Sequence, residues 1–319
     1  MVQSVRCRKN NGPSVTVDPE EATRMPEPPL ATVITPTYNR ADFLGQAVES
    51  VLAQTYPHFE MLVVDDGSTD GTPAVMKRYL SDERIRYFHQ RNQGQSVARN
   101  LALSHARGEF VCFLDSDNAW VPEKLAVSLA AMETHPDVDV VYGDAIRIDE
   151  TGAEISRENM RRYSGRIVPW MLRDNCVSMN TAMARRRCFD ERGGMSARYR
   201  VADDYELWLR FSAYYRFFYL PRYLAYYRVM TNQISSDKTR RFDTNERILR
   251  DFLAEHGHTV TAAEARTGWC HFHTRKGRYL ASQGRLREAL GCYLRALTQN
   301  PVAKPPWRAL AKLALRGTG

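Results

Sequence analysis

Phe110-Val-Cys-Phe-Leu-Asp115-Ser-Asp117-Asn118 is an apolar run cut off by two carboxylates one residue apart. Residues 110–114 are apolar without alternation, the pattern of a strand buried on both faces of a parallel sheet. Asp115 and Asp117 fall just past its carboxyl end, where open α/β sheets bind ligands. An Asp-x-Asp at such a turn holds a hard divalent cation through oxygen and leaves coordination positions for a diphosphate. Alone, the same residues read as a solvated acidic turn, because so short a motif recurs by chance. The neighbouring strand ends decide between the two.

Working outward, Thr32-Val-Ile-Thr-Pro36 reads as a first strand, followed by a helix from about Ala41 to Gln54. Phe59-Glu-Met-Leu-Val-Val64 is a second strand ending in Asp65-Asp66-Gly67-Ser68-Thr69-Asp70-Gly71, which is turn and N-cap chemistry. Arg84–Phe88 is a third, more polar strand, Asn92-Gln-Gly94 opens a helix through Ser104, and Pro122 starts another after the acidic turn. Val138–Tyr142 is a fifth strand. This alternation predicts βαβ units, a mostly parallel Rossmann-like sheet flanked by helices on both faces. Thr35–Asn39, Asp65-Asp66 and Asp115–Asp117 then share one crevice. Two acidic turns facing each other call for a cation or hydrogen-bond donors between them.

Composition narrows the function classes. The chain has 319 residues, 43% hydrophobic and 26% charged, ordinary for a globular protein with one or two domains. No apolar stretch approaches a membrane span, and the N-terminus shows no signal-peptide core. Six scattered cysteines without a Cys-x-x-Cys pair read as reduced thiols of a cytoplasmic protein, not a zinc site. Residues 240–319 hold 15 Lys/Arg against 6 Asp/Glu, so the net charge of +8 belongs to this end. Nucleic acid is not an expected partner, since no aromatic-lined basic face or known motif accompanies the charge. Solvated helix faces explain it, or peripheral contact with the inner face of an anionic membrane. Residues 1–30 carry five prolines among polar residues and read as a disordered leader.

Five motifs in order carry a resemblance. They are Val33-Ile-Thr-Pro-Thr-Tyr38-Asn39-Arg40, Val63-Val-Asp65-Asp66-Gly67-Ser68-Thr69-Asp70-Gly71-Thr72 and Asn92-Gln-Gly94-x-x-x-Ala98-Arg99-Asn100. Gly108–Asp117 and Gly193-Gly194-Met195 with Asp203-Asp204-Tyr205-Glu-Leu-Trp208 complete the set. Over residues 31–236 the chain resembles a family 2 glycosyltransferase with the GT-A nucleotide-sugar-binding fold. The resemblance implies an inverting, non-processive, metal-dependent enzyme. It would move a sugar from a UDP- or dTDP-linked donor to a hydroxyl of a glycan, lipid-linked or other acceptor. Pro36, Thr37 and Tyr38 would lie against the nucleoside, and Asp66 with Asp65 would accept from the base N–H. Arg99 and Ser116 belong to the donor site, with a surface role also open for Arg99. Asp115 supports the ribose and metal shell, and Asp117 ligates Mn²⁺ or Mg²⁺.

Transfer needs a base, because a hydroxyl is a poor nucleophile until its proton leaves. The resemblance gives that role to Asp204, in the first turn of a helix expected over Asp203–Tyr214. There the helix dipole is expected to lower its pKa, and Asp203 is expected to cap the helix. Two departures stand out. Tyr227-Arg228-Val229-Met230 places a thioether where the family often has a metal-binding histidine. The Gln-x-x-Arg-Trp run of processive synthases is missing. Residues 31–238 form the expected catalytic domain. Residues 239–319 form a helical C-terminal extension, in which Gly277–Pro301 resembles one tetratricopeptide-like helix pair. A catalytically silent scaffold using those helices is the competing reading.

Overall fold

The structure, a computed structural model, describes residues 28–158, 161–230 and 237–316. The expected leader falls outside these residues, apart from 28–30. Strand β1 (Ala31–Thr37), helix α1 (Ala41–Leu52), β2 (Phe59–Asp65), α2 (Thr72–Lys77), β3 (Ile85–His89), α3 (Gln95–His105) and β4 (Phe110–Phe113) follow the expected alternation. Every residue of β1, β2 and β4 is buried, as their unbroken apolar runs require. These four strands are parallel, in the order β3-β2-β1-β4.

Beyond β4 the expectation of a mostly parallel sheet fails. The chain continues through β5 (Ala119–Trp120), α4 (Lys124–Thr134), β6 (Val140–Ile148), β7 (Glu154–Arg157), α5 (Val168–Met171), a 3-10 turn at Met179–Thr181, β8 (Met183–Arg185), α6 (Arg187–Arg192), α7 (Asp203–Ser212) and β9 (Phe217–Arg228). The sheet runs β3-β2-β1-β4-β8-β6-β9-β5, with β7 on β6. Among the described residues β8 opposes both β4 and β6, β5 opposes β9, and β7 opposes β6. The sheet is therefore mixed. Of these pairs only β6–β7 is closed by a tight turn; the others join segments far apart in sequence, a pairing that local strand–helix alternation does not register. Asp149 makes such a turn between β6 and β7: its Oδ1 accepts from the Thr151 and Ala153 amides, both at 2.9 Å. The β6–β9 pairing is irregular around Tyr142–Ala145. A Cβ on Gly143 there would come 2.6 Å from the Arg222 carbonyl oxygen, so only glycine fits.

Helices cover both faces. One core joins α1 and α4 to the sheet through Leu44, Val48, Leu125 and Leu129. The other joins α3 and α7 to it through Ala98, Ala102, Trp208 and Phe211. After β9 come α8 (Lys238–His256), α9 (Ala262–Ser282), α10 (Leu286–Gln299) and α11 (Lys304–Arg316). Ile248, Leu249 and Phe252 of α8 and Phe272 of α9 share the core of Trp208 and Phe217, so these helices are built onto the sheet-bearing body. Only the far end, around Leu280, Ala289, Tyr293 and Ala309, has a small core of its own. A Cβ on Gly277 would lie 2.5 Å from the Tyr293 ring, so glycine lets α9 and α10 approach closely. Thr261 and Glu264 form a reciprocal capping box at the start of α9. Glu264 also pairs with Arg166 of the body at 2.6 Å, which pulls its carboxyl down to about 2. Among the described residues no helix is long and apolar enough to cross a membrane.

Candidate active site

The carboxyl ends of β1, β2 and β4 form one edge. Thr37 is in register with Asp65 and Ile34 with Phe113, and the Asp66 amide donates to the Thr37 carbonyl at 2.8 Å. Asn39, in the left-handed region at φ 50°, stitches the next two loops together. Its amide donates to Ser68 Oγ at 2.9 Å and its Oδ1 accepts from the Thr69 amide at 2.8 Å. Asp65 is spent on this wall, accepting from the Ser68 amide at 2.8 Å and the Tyr87 hydroxyl at 2.6 Å. Asp66 accepts from Gln90 Nε2 and the Gln93 and Gly94 amides, which fixes the entry to α3. Pro36 is buried, Tyr38 is 45% exposed and presents its ring at the rim, and Thr35 and Thr37 have buried hydroxyls with no partner among the described residues.

The acidic turn is held by three hydrogen bonds from two residues. Asn180 Oδ1 accepts from the Asp115 amide at 2.7 Å while its Nδ2 donates to Asp115 Oδ2 at 2.9 Å. Arg99 Nη2 donates to Asp115 Oδ1 at 2.6 Å. Both Asp115 oxygens are thus engaged, and Ser116 is buried beside them. Asp117 differs: its nearest cation is Arg40, Nε to Oδ2 3.6 Å. Burial first, then the Asp115 charge, push its carboxyl up to about 6 against the pull of Arg40. A hard oxygen ligand that Arg40 only partly neutralises suits Mn²⁺ or Mg²⁺. Among the described residues no group of three or more His, Cys, Asp or Glu side chains could hold a metal unaided. Asp117 would therefore need further ligands from outside these side chains to hold such an ion.

Across the crevice, α7 brings the base candidate. Asp203 does not cap this helix; Ala202, at φ 59°, occupies the N-cap position without a side-chain bond. Asp203 instead accepts from Gln95 Nε2, Ser96 Oγ and Arg99 Nη1 at 2.9, 2.9 and 2.8 Å, so three donors of α3 outcompete its own helix amides. Asp204, partly exposed, accepts from Asn175 Nδ2 at 2.9 Å. Its carboxyl is pushed up to about 6, not lowered as the dipole alone predicts. Desolvation is the largest cause and the Asp203 charge the second; both outweigh Arg241 and the backbone. Arg99 is 3% exposed, so the surface role falls away. It joins the acidic turn to the base helix.

The profile described as Glycosyl transferase family 2 matches residues 32–193, just over half of the chain. The chain belongs to this family. A putative teichuronic acid biosynthesis glycosyltransferase, TuaG of Bacillus subtilis, is 49% identical over 106 residues, covering 33% of this chain and 42% of its own. An uncharacterized glycosyltransferase of Rickettsia felis is 36% identical over 160 residues, half of this chain but 26% of that one. The chain thus spans about a quarter of the Rickettsia protein's length. Among solved structures, residues 1–349 of S. aureus TarS with UDP-GlcNAc superpose with a TM-score of 0.66 at 20% identity, over 84% and 81% of the two chains. A mannosyltransferase of Pyrobaculum calidifontis with GDP-Man and Mn²⁺ gives 0.59 at 21% identity, over 91% and 81%. The shared fold is GT-A.

Within this family 2 scaffold, three site residues carried no signal that sequence reasoning used. Asn175 and Asn180 sit in Asp174–Thr181, a mixed polar and apolar stretch without motif character. Arg228 was read only as a neighbour of Met230. It is 2% exposed and donates to the Asp117, Asp149 and Glu150 carbonyls, supporting the acidic turn from behind. Asn100, a motif residue, proves structural: it closes two 2.8 Å hydrogen bonds on the Met195 backbone.

Proposed function

We propose that this chain is an inverting glycosyltransferase that moves a sugar from a nucleoside-diphosphate donor, a UDP-sugar, to an acceptor hydroxyl in glycoconjugate or cell-surface polysaccharide synthesis. One observation carries the reading: Arg99 bridges Asp115 and Asp203 at 2.6 and 2.8 Å, which ties the acidic turn to the helix whose next residue, Asp204, is the base candidate.

Thr37 and Tyr38 provide a floor and a ring face for the nucleoside, with Asp66 at the wall behind. A divalent ion on Asp117 would neutralise charge on the departing diphosphate. Asp204, with a pKa near 6, is ionised at neutral pH and is a stronger base than an ordinary aspartate. Asn175 fixes the orientation of its carboxylate. The acceptor hydroxyl gives its proton to Asp204 as its oxygen forms the new bond to the anomeric carbon. The bond to the diphosphate oxygen breaks with its electron pair on the nucleotide. A single displacement from the opposite face inverts the anomeric centre.

The test is a thermal-shift panel of nucleotide sugars with and without Mn²⁺, followed by turnover of the donor that stabilises the fold. Asp117→Ala should lose the metal-dependent shift. Asp204→Asn should keep it and transfer no sugar; wild-type turnover in that variant defeats the base assignment.

A further inference from the structure

The basic C-terminal helices do not carry their charge at random. His271, Arg275 and Arg278 of α9 recur at helical spacing and so share one face. That face looks at the loop between α5 and the 3-10 turn. Arg275 pairs with Asp174 at 2.6 Å and donates to the Arg173 carbonyl at 3.0 Å. Two turns before Arg275, a Cβ on Gly268 would lie 2.8 Å from Leu172, so α9 lies hard against this loop. The same loop supplies Asn175, the partner of Asp204. Burial and then the charges of Arg173, Arg275 and Arg278 depress the pKa of His271 on this face.

A second element converges there. Asn245, Ile248 and Phe252 form the inward stripe of α8, and Arg241, exposed, lies one turn before it on the same side. The charge of Arg241 acts on Asp204. Lys238, Arg240 and Arg241 occupy the first turn of α8, which has no acidic residue. Cations at that end oppose the helix dipole, and the Asp237 N-cap, whose Oδ1 accepts from the Arg240 amide at 3.0 Å, offsets them. Asp174 is satisfied by Arg275. Arg173, stacked on Trp170 at 4.2 Å, has no carboxylate partner among the described residues, nor do Arg241 and Arg278.

We propose that Arg173, Arg241 and Arg278 form an anion-binding acceptor subsite beside Asp204, and that the acceptor carries a phosphate or carboxylate near the hydroxyl that is glycosylated. This rests on Asp204 as the base. Guanidiniums bind such groups with directed, charge-assisted hydrogen bonds. The planar stack of Trp170 on Tyr163, 4.2 Å apart, stiffens the side on which Arg173 lies.

The full chain, saturated with UDP and Mn²⁺ so that the diphosphate corner is filled, is titrated by saturation-transfer NMR with octyl glucoside, octyl glucuronide and octyl glucoside 6-phosphate. At least one charged glycoside should bind tenfold or more tightly than the neutral one at low salt, and which one does so names the anion. The gap should close at high salt, as screening requires. Arg241→Gln/Arg278→Gln, at exposed positions, should reduce it below threefold and leave UDP affinity unchanged. Equal affinities for the three glycosides, or a gap that survives in the double variant, overturns the subsite alone. Failure of the wild-type chain to bind UDP at all removes the sugar-transfer reading and the subsite with it.

Discussion

Asn180 closes two hydrogen bonds on Asp115, one to its amide and one to its carboxylate, from a residue that is itself 3% exposed. The asparagine is in turn held by Trp120 Nε1, which donates to the Asn180 carbonyl at 2.7 Å. The position of the acidic turn is therefore dictated by a 3-10 turn about 65 residues downstream. Asn180→Ala removes both bonds and leaves an amide and a carboxylate oxygen without these partners, at a cost of about 1–3 kcal/mol. Supporting residues of this kind typically change metal affinity or activity about 10–100-fold. Isothermal titration of Mn²⁺ with UDP should show that loss in a protein that still melts cooperatively; wild-type affinity would mean that Asp115 needs no such clasp.

Arg99 sits between two carboxylates with its side chain 3% exposed, and Asp203 is equally buried. Removing one member of a buried pair strands the other charge, which costs about 3–5 kcal/mol. Arg99→Met should therefore lower the denaturation midpoint sharply, whereas Asp203→Asn, which keeps polar contacts to Gln95 and Ser96, should cost less. Arg99→Lys cannot span both carboxylates with one ammonium, so it should fold better than Arg99→Met and still lose turnover. Urea unfolding of the three variants gives the ranking. An Arg99→Met protein as stable as the wild type would contradict the bridge.

The raised pKa of Asp204 predicts both activity and stability. Turnover with donor and acceptor saturating should fall as pH drops through about 6, with the slope of one proton. An unfolded aspartate titrates near about 3.9. The folded state therefore holds the proton more tightly, and folding weakens as pH rises from about 4 to 6. Above that window ionised Asp204 is a constant cost. Asp204→Asn should then stabilise the protein at pH 7.5 by about 1–2 kcal/mol, a figure reduced for its partial exposure, and gain nothing near pH 4. Denaturant melts at the two pH values measure the difference. A variant less stable than wild type at pH 7.5 would show that the carboxylate is favourably paired.

Much of the parallel half was legible because its signals are local. The unbroken apolar runs of β1, β2 and β4 specify burial on both faces, and Asp115 and Asp66 follow strand ends directly. The mixed half was not. β8 is three residues long and β5 only two, too short for any period to show. The same limit hid the site's supports. Asp203 reads as a cap by position, yet Gln95, Ser96 and Arg99 approach it from more than 100 residues away and outcompete the helix end. The pKa of Asp204 went the wrong way for a related reason: helix position is visible in sequence, but desolvation by neighbours is not.

Arg228 offers the last test, because it joins two loops and helix α1, which sequence separates widely. Its Nε donates to the Asp117 carbonyl at 3.0 Å, its Nη1 to the carbonyls of Asp149 and Glu150, and its Nη2 to Gln46. Its amide donates to Asn118 Oδ1 at 2.8 Å, and its guanidinium lies over Phe43 at 4.9 Å. This geometry uses the fixed fork of arginine, which lysine lacks. Arg228→Lys should keep the charge and release some of these carbonyls, lowering stability by about 2–4 kcal/mol. The Asp117 turn should loosen with it, so that UDP binding loses its Mn²⁺ dependence while metal-free nucleotide affinity changes less than threefold. Because Met230 lies two residues further on, a Met230→His variant separates support from ligation. If Arg228 acts through the position of Asp117, histidine at 230 should not restore Mn²⁺ dependence to Arg228→Lys. Full restoration would move the metal site from the acidic turn toward the end of β9.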